Sequence, residues 1–397
     1  MENPKIRFKG FTKDWEQRKL GEVFEFQYGE FNNNPDNGGE YPIYGANGII
    51  GGYTDWNAEN SSIIGHMGAY AGYVVWGEGK HFVTYNGTIA RPKDNSIDSK
   101  YGYYLLDSKK IYKICAGSGQ PFVSYSDLNG IDILLPKDKD EQRVLAYYFT
   151  NLDHLITLHQ RKCEQTKKLK KYMLQKMFPQ NGAKVPEIRF DGFTYDWEQR
   201  KLGEVLISLQ NNTLSRADLS NETGIAKNVH YGDVLIKFGD VLNVSREQLP
   251  MIKDEMILDK YKASFLQNGD VIIADTAEDT TVGKCSEIAG LRDEVVLSGL
   301  HTIPYRPVEK FATGYLGYYL NSDAYHDQLI PLMQGIKVTS ISKSAMKDTD
   351  IVYPKSTEEQ AMIGSYFQSL DHLITLHQRK CDELKKMKKY MLQNMFI

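Results

Sequence analysis

The chain has 397 residues, of which 41% are hydrophobic, 25% charged and 12% aromatic, and its formal net charge is −3. This composition is typical of a globular protein rather than a disordered one, and the length favours more than one domain. No apolar run approaches the roughly 18 residues of a membrane span, and four cysteines in so long a chain do not indicate a disulfide-rich protein. A cytoplasmic protein with no membrane partner is therefore expected.

A 20-residue motif near the start of the chain returns in its middle. PKIRFKGFTKDWEQRKLGEV covers 4–23 and PEIRFDGFTYDWEQRKLGEV covers 186–205, with 17 of 20 positions identical. Each copy of so strong a repeat normally marks one structural unit. The chain is therefore predicted to contain two halves built on the same frame.

The first body, residues 24–140, is rich in glycine and tyrosine. Short β-branched and aromatic runs punctuated by glycine, such as YPIYGANGIIGGY at 41–53 and HFVTYNGTIARPK at 81–93, predict strands and turns. YGYYLLDSKKIYKIC at 101–115 has helical spacing, and GSGQPFVS and the strand-like IDILLP follow it. These patterns predict a mixed α/β domain.

A long helix is predicted next, over 141–178, because no glycine or proline interrupts this segment. NLDHLITLHQRKCEQTKKLKKYMLQKMF at 151–178 returns at 369–396 as SLDHLITLHQRKCDELKKMKKYMLQNMF, with 22 of 28 positions identical. The predicted buried stripe of the first copy is Leu145, Phe149, Leu152, Ile156, His159, Cys163, Thr166, Leu169, Met173 and Met177, and that of the second is Ile363, Phe367, Leu370, Ile374, His377, Cys381, Leu384, Met387, Met391 and Met395. Two such helices are expected to bury their stripes against each other.

The second body, residues 206–358, follows the same order of patterns with different residues, and QGIKVTSIS at 334–342 corresponds to GSGQPFVS. Both bodies end in an acidic helix start, where Ser356 or Thr357 can cap with Glu359 following. The predicted fold class is α/β, with two globular α/β domains separated by a long antiparallel two-helix coiled coil in a pseudo-twofold repeat. The predicted boundaries are 1–140, 141–178, 179–185 for a linker, 186–358 and 359–397.

Signatures of catalysis are missing from the sequence. There is no GxxxxGK[ST] phosphate loop, and NPDN at 34–37 lacks the two prolines and the aromatic residue that clamp a flipped base. No pair of carboxylates with a lysine suggests metal-dependent DNA cleavage. No catalytic residue is therefore predicted.

His159 and Cys163 lie one helical turn apart, and His377 and Cys381 repeat them. In an antiparallel helix pair these positions fall near the midpoint, where four such ligands could converge on zinc. The same residues could instead form a polar layer that fixes the register of the two helices. A zinc site would favour a metal-dependent hydrolase, whereas a polar layer would carry no chemistry.

GSGQPFVS and QGIKVTSIS are the strongest candidates for a binding site. Glycine-rich turns expose backbone N–H groups to phosphates, and glutamine can bind the edge of adenine through two hydrogen bonds. Nearby basic residues, namely Lys80, Arg91 and Lys93 in the first body and Lys337 and Lys343 in the second, are expected to supply phosphate contacts. The predicted DNA-binding residues are Lys80, Arg91, Lys93, Ser118, Gln120, Ser124, Lys237, Gln334, Lys337, Thr339, Ser340 and Lys343.

Together these motifs resemble the specificity (S) subunit of Type I restriction-modification enzymes, over essentially the whole chain. The resemblance rests on the twice-repeated DWEQRKLGEV, on YPIYGANGIIGGY, on the DILLP and DIVYP endings before a helix that starts with EQ, and on the duplicated LDHLITLHQRKC. No single motif among them is specific, but the combination is.

The resemblance implies two target-recognition domains that each read one half of a split sequence in double-stranded DNA. The helices would set the spacing and dock two copies of the methyltransferase subunit, and restriction (motor-nuclease) subunits would complete the complex. This subunit would bind no cofactor, with S-adenosylmethionine, ATP and Mg expected on partner subunits. The alternative is a two-headed structural or adaptor protein that binds protein or glycan through its tyrosine-rich domains, and salt-dependent binding to duplex DNA would separate the two hypotheses.

Overall fold

The computed structural model of the protein describes residues 3–31, 36–117 and 119–396. The chain forms two compact units. Unit 1 contains the described residues up to Arg161 together with those from His377 onwards, and unit 2 is Lys162–Leu376. Each unit therefore combines one copy of the opening motif, one body and part of both long helices.

Unit 1 is built on a six-stranded sheet with the order β2-β7-β5-β6-β3-β4, in which only the β3–β6 pair is parallel. A separate antiparallel pair joins β1 to β8. The strands are β1 (Glu16–Lys19), β2 (Phe24–Tyr28), β3 (Tyr41–Gly45), β4 (Gly48–Tyr53), β5 (Ala58–Gly65), β6 (Val74–Val83), β7 (Gly87–Pro92) and β8 (Asp132–Leu135). The helices are α1 (Leu20–Val23), α2 (Ser99–Ser108), α3 (Tyr125–Asn129) and the long α4 (Lys139–Lys176), and one 3-10 turn covers Ile111–Lys113.

Unit 2 contains a five-stranded sheet with the order β10-β18-β14-β16-β12, a three-stranded sheet with the order β13-β11-β17, and the pairs β15–β19 and β20–β9. Its strands are β9 (Glu198–Lys201), β10 (Leu206–Ser208), β11 (Ala226–Val229), β12 (Val241–Asn243), β13 (Met251–Ile252), β14 (Val271–Ala274), β15 (Thr276–Ala277), β16 (Cys285–Ala289), β17 (Val296–Ser298), β18 (Thr302–Pro307), β19 (Thr339–Ser340) and β20 (Asp350–Tyr353). Its helices are α5 (Leu202–Val205), α6 (Tyr231–Ile236), α7 (Glu255–Tyr261), α8 (Tyr315–Leu320), α9 (Asp323–His326), α10 (Lys343–Met346) and the long α11 (Thr357–Met395), and 3-10 turns cover Arg216–Asp218, Lys262–Ser264 and Ile330–Leu332.

The six-stranded sheet of unit 1 and the five-stranded sheet of unit 2 have the same strand order over four strands. The antiparallel order β2-β7-β5-β6 in unit 1 corresponds to β10-β18-β14-β16 in unit 2. The three-stranded sheet of unit 2 repeats the β4-β3-β6 arrangement of unit 1, with the parallel pair β11–β17 in the place of β3–β6 and the antiparallel pair β11–β13 in the place of β3–β4. It has its own small core around Ala226, Ile252 and Leu297. The predicted mixed α/β class and repeated domain architecture are thus confirmed.

The opening motif is held to the start of the long helix by a buried ion pair in each unit. In unit 1, Glu141 accepts from Nε and Nη2 of Arg7 at 2.6 and 2.8 Å and from Nε1 of Trp15 at 3.2 Å. In unit 2, Glu359 accepts from Arg189 at 2.7 and 2.9 Å and from Trp197 at 3.2 Å. Glu359 therefore binds the opening motif instead of closing a capping box, while Ser356 caps the helix through the N–H of Glu359 at 3.3 Å.

The glutamine of each EQ pair ties the helix start to its own body. The Gln142 amide accepts from the Asp98 N–H at 2.8 Å and donates to the carbonyls of Ser96 and Pro136 at 3.0 and 2.9 Å. Gln360 accepts from the Ala312 N–H at 2.9 Å and donates to the Pro354 carbonyl at 2.8 Å. Because both side chains are buried, these hydrogen bonds satisfy polar atoms that would otherwise be costly to bury.

The predicted stripe of the long helices is wrong at one pair of equivalent positions. Leu169 and Met387 are 44% and 46% exposed. The next residues, Lys170 and Lys388, take the inward positions, with side chains only 16% and 17% exposed. The stripe advances by alternating steps of three and four residues, and the step of four from Thr166 reaches Lys170 rather than Leu169. The prediction of Leu169 is wrong because it follows the apolar side chain instead of the period.

Each inward lysine completes a triad with a carboxylate from the other long helix and a tyrosine from the body. In unit 1, Lys388 Nζ lies 2.7 Å from Asp153 Oδ1, and the Tyr104 hydroxyl donates to Asp153 Oδ2 at 2.8 Å. In unit 2, Lys170 Nζ and the Tyr318 hydroxyl bind Asp371 at 2.5 and 2.8 Å. The two triads therefore fix the antiparallel register of the helices within each unit.

Reversing the charge of Asp153 tests this role. Asp153→Lys places two ammonium groups together and is expected to lower the free energy of unfolding by about 1–2 kcal/mol, because the site is only partly buried. Adding Lys388→Asp restores opposite charges and should recover part of the loss in urea unfolding. Lys389→Asp, an exposed neighbour with the same charge change, is the control. A double variant no more stable than Asp153→Lys would contradict the pairing.

Candidate nucleic-acid interface

The first glycine-rich loop forms a short hairpin in unit 1, here called hairpin 1 and described at residues 116–117 and 119–122. The N–H groups of Ala116 and Phe122 each donate to the carbonyl of the other residue, at 3.0 and 2.8 Å. Gly117 has a φ of 100°, a left-handed conformation that favours glycine. A Cβ at this position would also lie 2.8 Å from the Gln120 carbonyl, so the turn requires glycine.

The second loop forms the equivalent hairpin in unit 2, here called hairpin 2 (334–340). Gln334 and Ser340 exchange backbone hydrogen bonds at 2.9 and 2.8 Å, and Gly335 has a φ of 116°. Side chains from Gln334 to Val338 are exposed, and that of Ile336 is fully so. The two hairpins thus have the same length and closure but different side chains.

Both hairpins attach to the residues that follow the central strand of their sheet. In unit 1, Val123 N–H donates to the His66 carbonyl at 3.1 Å, and His66 N–H donates to the Asn86 carbonyl at 2.8 Å. In unit 2, Ile341 N–H donates to the Asp275 carbonyl at 2.9 Å, and Asp275 N–H donates to the His301 carbonyl at 3.1 Å. His66 and Asp275 therefore occupy equivalent positions, directly after β5 and β14.

His66 lies in a small aromatic cluster in unit 1. The rings of Tyr28 and Tyr125 stack at 4.0 Å, and the His66 ring lies 4.2 Å from that of Tyr28. His66 Nδ1 is 3.1 Å from the Val123 carbonyl oxygen, and because a carbonyl only accepts, Nδ1 must carry the proton. In the neutral ring this leaves Nε2 as an acceptor, and Nε2 has no hydrogen-bond partner within residues 3–31, 36–117 and 119–396.

The equivalent place in unit 2 is polar and charged. Asp275 Oδ1 accepts from the Thr276 hydroxyl at 2.8 Å and lies 3.4 Å from His301 Nδ1. His301 has a φ of 54°, and its ring meets that of Tyr231 edge-on at 5.3 Å. The Lys343 ammonium donates to the Leu209 carbonyl at 2.8 Å, and burial lowers the pKa of Lys343 while the nearby Asp275 opposes that shift.

Three basic residues predicted for unit 1 lie away from hairpin 1. Arg91 donates to Gln27 Oε1 at 2.6 Å and to the Asn57 carbonyl at 2.7 Å. The ammonium of Lys80 lies 4.5 Å from the Trp56 ring, and that of Lys93 donates to the Gly21 carbonyl at 2.6 Å. Lys80 of β6 lies opposite Glu59, near the start of β5. Hairpin 1 attaches beyond the other end of β5, at His66, and seven residues of extended strand place Glu59 and His66 roughly 20 Å apart.

The remaining predicted residues divide between exposed and internally bonded side chains. Gln120 is exposed, with its amide nitrogen 3.7 Å from Met67 Sδ, and Lys337 is also exposed. Ser124 caps α3 and shares a capping box with Asp127. Lys237 is exposed but donates to the Gln248 carbonyl. Gln334, Thr339 and Ser340 belong to hairpin 2, and Ser118 lies outside the described residues.

Sequence reasoning missed His66, Asp275 and His301. The signal that could have found them is position, because IIGHMG and IIADTA each place a polar residue directly after a buried strand. Backbone pairing with a hairpin far along the chain then brings each beside the candidate loop.

The structure places the four residues of the zinc alternative in contacts between the two long helices. His159 and His377 meet with their Nδ1 atoms 3.0 Å apart, so one ring donates to the other. Cys163 Sγ lies 3.8 Å from the Ile374 carbonyl oxygen. Within the described ranges, no three His, Cys, Asp or Glu residues are arranged to hold a metal ion. The histidine pair is a polar contact between the long helices.

Comparison with known proteins gives one consistent family. The Type I restriction modification DNA specificity domain matches residues 12–168 and 195–386 of this chain. The two matched segments correspond to the two repeats and together cover most of the sequence.

Curated relatives and solved structures agree with that match. The Type I restriction enzyme MjaVIII specificity subunit of Methanocaldococcus jannaschii is 26% identical over 344 residues, which is 84% of this chain and 77% of the relative. The solved S subunit of a Type I restriction-modification system from M. genitalium has a TM-score of 0.66 at 15% identity, covering 100% of this chain and 99% of that one. A chain solved in work on complex assembly and conformational transition of the type I R-M system has a TM-score of 0.54 at 17% identity, covering 97% and 98%. At these identities the two solved structures are similar to this chain in fold.

Proposed function

This chain belongs to the Type I restriction-modification DNA specificity family and is a specificity subunit of such a system, and from that premise we propose that each of its two units reads one half of a bipartite target in duplex DNA. The observation that carries the proposal is the duplicated frame around different contents. Each unit closes a hairpin with the same backbone contacts, next to the end of an equivalent strand, β5 in unit 1 and β14 in unit 2. The exposed side chains of the two hairpins nevertheless differ. Two readers of this kind recognise two different half-sites.

The long helices set the spacing between the half-sites and dock two methyltransferase subunits. α4 and α11 have 38 and 39 residues, and their exposed faces carry apolar side chains that pack against no core. Among these are equivalent pairs in the two copies, namely Leu155 and Leu373, Leu158 and Leu376, and Tyr172 and Tyr390, each between 41% and 58% exposed. The repetition of the same apolar positions supports two copies of one partner.

The subunit recognises DNA and leaves catalysis to its partners. Methyltransferase subunits supply S-adenosylmethionine chemistry, and restriction subunits supply the ATP- and Mg-dependent steps. The complex acts on DNA in the cytoplasm. Within the described residues, no helix is long and apolar enough to cross a membrane. The family match gives no support to an adaptor that binds protein or glycan.

Mapping of methylated bases in a host tests the proposal. A strain that expresses this chain with its methyltransferase subunit is expected to carry methylated adenines in one split target with a constant gap. The matched strain with the methyltransferase subunit alone should show none of these sites, because the target is read by this chain. A single continuous target, or methylation independent of this chain, would exclude the two-reader function.

A further inference from the structure

We propose that bases are read by two pairs of equivalent positions, His66 with Gln120 in unit 1 and Asp275 with Val338 in unit 2. The inference rests on the proposed function and assigns the residues that carry its specificity. Among these four residues, the sequence had singled out only Gln120, while most of its predicted basic residues lie elsewhere or bond internally.

The pairing of positions follows from the repeated backbone frame. His66 and Asp275 each accept, through their carbonyls, the N–H of the residue that follows the hairpin. Gln120 and Val338 are each the fourth residue after the one that opens its hairpin, because both hairpins have the same length and closure. The same two backbone positions therefore present an imidazole and an amide in one unit, and a carboxylate and an apolar side chain in the other.

The unit 1 pair suits a base that offers an amino group in the major groove. His66 Nε2 is an acceptor whose ring is fixed by the Val123 carbonyl and the Tyr28 ring, so little side-chain freedom is lost on binding. Gln120 is exposed, and among the described residues its amide has one polar contact, 3.7 Å from the weakly accepting sulfur of Met67, which leaves the amide able to donate and accept. The Gln120 amide matches the N6 amino group and N7 of one adenine, and the His66 acceptor matches the N6 amino group of a neighbouring adenine.

The unit 2 pair suits different bases. The side chain of Asp275 is 27% exposed, and its Oδ2 has no hydrogen-bond partner within the residues that the structure describes. A carboxylate is repelled by phosphates but accepts from the N4 amino group of cytosine in the major groove. Val338 is 54% exposed and offers an apolar contact to the methyl group of thymine. The charge of Asp275 is offset by Lys343, and by His301 when that ring is protonated.

The test uses the full chain with its methyltransferase subunit and a DNA library in which each base pair of the target is varied. His66→Asp is expected to change the preference at one base pair of the first half-site, from adenine towards cytosine, and to leave the second half-site intact. Asp275→Asn should weaken the preference at one base pair of the second half-site by about tenfold, since an amide can both donate and accept. Gln120→Ala should cost about tenfold in discrimination against other bases at a single position, and because this residue is exposed it tests the proposal even where His66→Asp fails to fold.

Glu59→Ala is the matched control, because this exposed charged residue lies on the same strand at the end away from hairpin 1. It should leave the base preference at every position unchanged. If the wild-type chain gives a split target but His66→Asp, Asp275→Asn and Gln120→Ala keep its base preferences, or weaken all sequences equally, the assignment is overturned while the two-reader function stands. If the wild-type chain gives no split target, both fail.

Discussion

A chain in which residues 24–130 are replaced by the corresponding segment of another specificity subunit is expected to recognise a new first half-site and to keep its second half-site. The segment contains β2 to β7, α2, hairpin 1 and α3, and therefore every unit 1 residue assigned to base reading. The expected change is complete for one half of the target, because none of the original reading side chains in that unit remains.

The structure fixes where this exchange should end. β8 pairs in register with β1 of the opening motif, and Gln142 donates to the Pro136 carbonyl. A junction after Gly130 leaves both contacts native, whereas a junction inside β8 would mix two sequences within one strand pair. The donor segment should keep aromatic residues equivalent to Tyr101 and Tyr104, which pack in the core beside Phe149 and Phe396.

Methylation mapping reads out the exchange, and the reciprocal exchange of the second body is its control. Replacing the second body should change the second half-site alone. If either exchange alters both half-sites in a folded, active complex, the units do not read independently, and the two-reader function would have to be abandoned.

The repeat and the local patterns explain how much of the fold could be predicted from the sequence. Identical copies of the opening motif and of the long helix define the frame, and uninterrupted helical periodicity is the strongest local signal. Gly117 and Gly335 indicate two turns, each of which needs a residue with a left-handed backbone conformation. These features depend on neighbours in sequence, so periodicity and turn chemistry were sufficient to find them.

The parts that were missed depend on contacts between distant residues. Lys170 and Lys388 lie inward because a carboxylate on the other long helix and a tyrosine of the body surround them, whereas side-chain hydrophobicity alone favours the apolar residues beside them. His66 and Asp275 lie beside their hairpins only through the pairing of strands far apart in the chain. Arg91 was predicted to bind phosphate, but its guanidinium donates to Gln27 and to the Asn57 carbonyl, and both partners are distant from it in sequence.

Removing the buried carboxylate at the start of α4 is expected to destabilise unit 1 strongly. The side chains of Glu141 and Arg7 are 2% and 15% exposed, and Glu141 also accepts from Trp15. In Glu141→Ala the guanidinium keeps, among the described residues, its bonds to the Lys13 carbonyl and Asn3, and the buried Trp15 N–H loses its acceptor. Leaving a buried charge unpaired typically costs about 3–5 kcal/mol, which is a large fraction of the stability of a domain.

The repeat supplies a matched partner for this experiment. Glu359→Ala removes the equivalent carboxylate beside Arg189 and Trp197, so it should destabilise unit 2 by a similar amount. At a temperature between the two unfolding transitions, Glu141→Ala should lose discrimination in the first half-site and Glu359→Ala in the second. Thermal unfolding and binding to half-site libraries measure both effects.

An exposed ion pair in the same motif provides the internal control. Glu22 accepts from Arg18 at 2.6 Å, but both side chains are substantially exposed, so Glu22→Ala should leave the unfolding midpoint nearly unchanged. Glu141→Gln should fall between Glu141→Ala and the wild type, because the amide retains one acceptor for Arg7 or Trp15 but carries no charge. Equal midpoints for Glu141→Ala and Glu22→Ala would show that the opening motif is held to α4 by its apolar contacts, with the ion pair contributing nothing measurable.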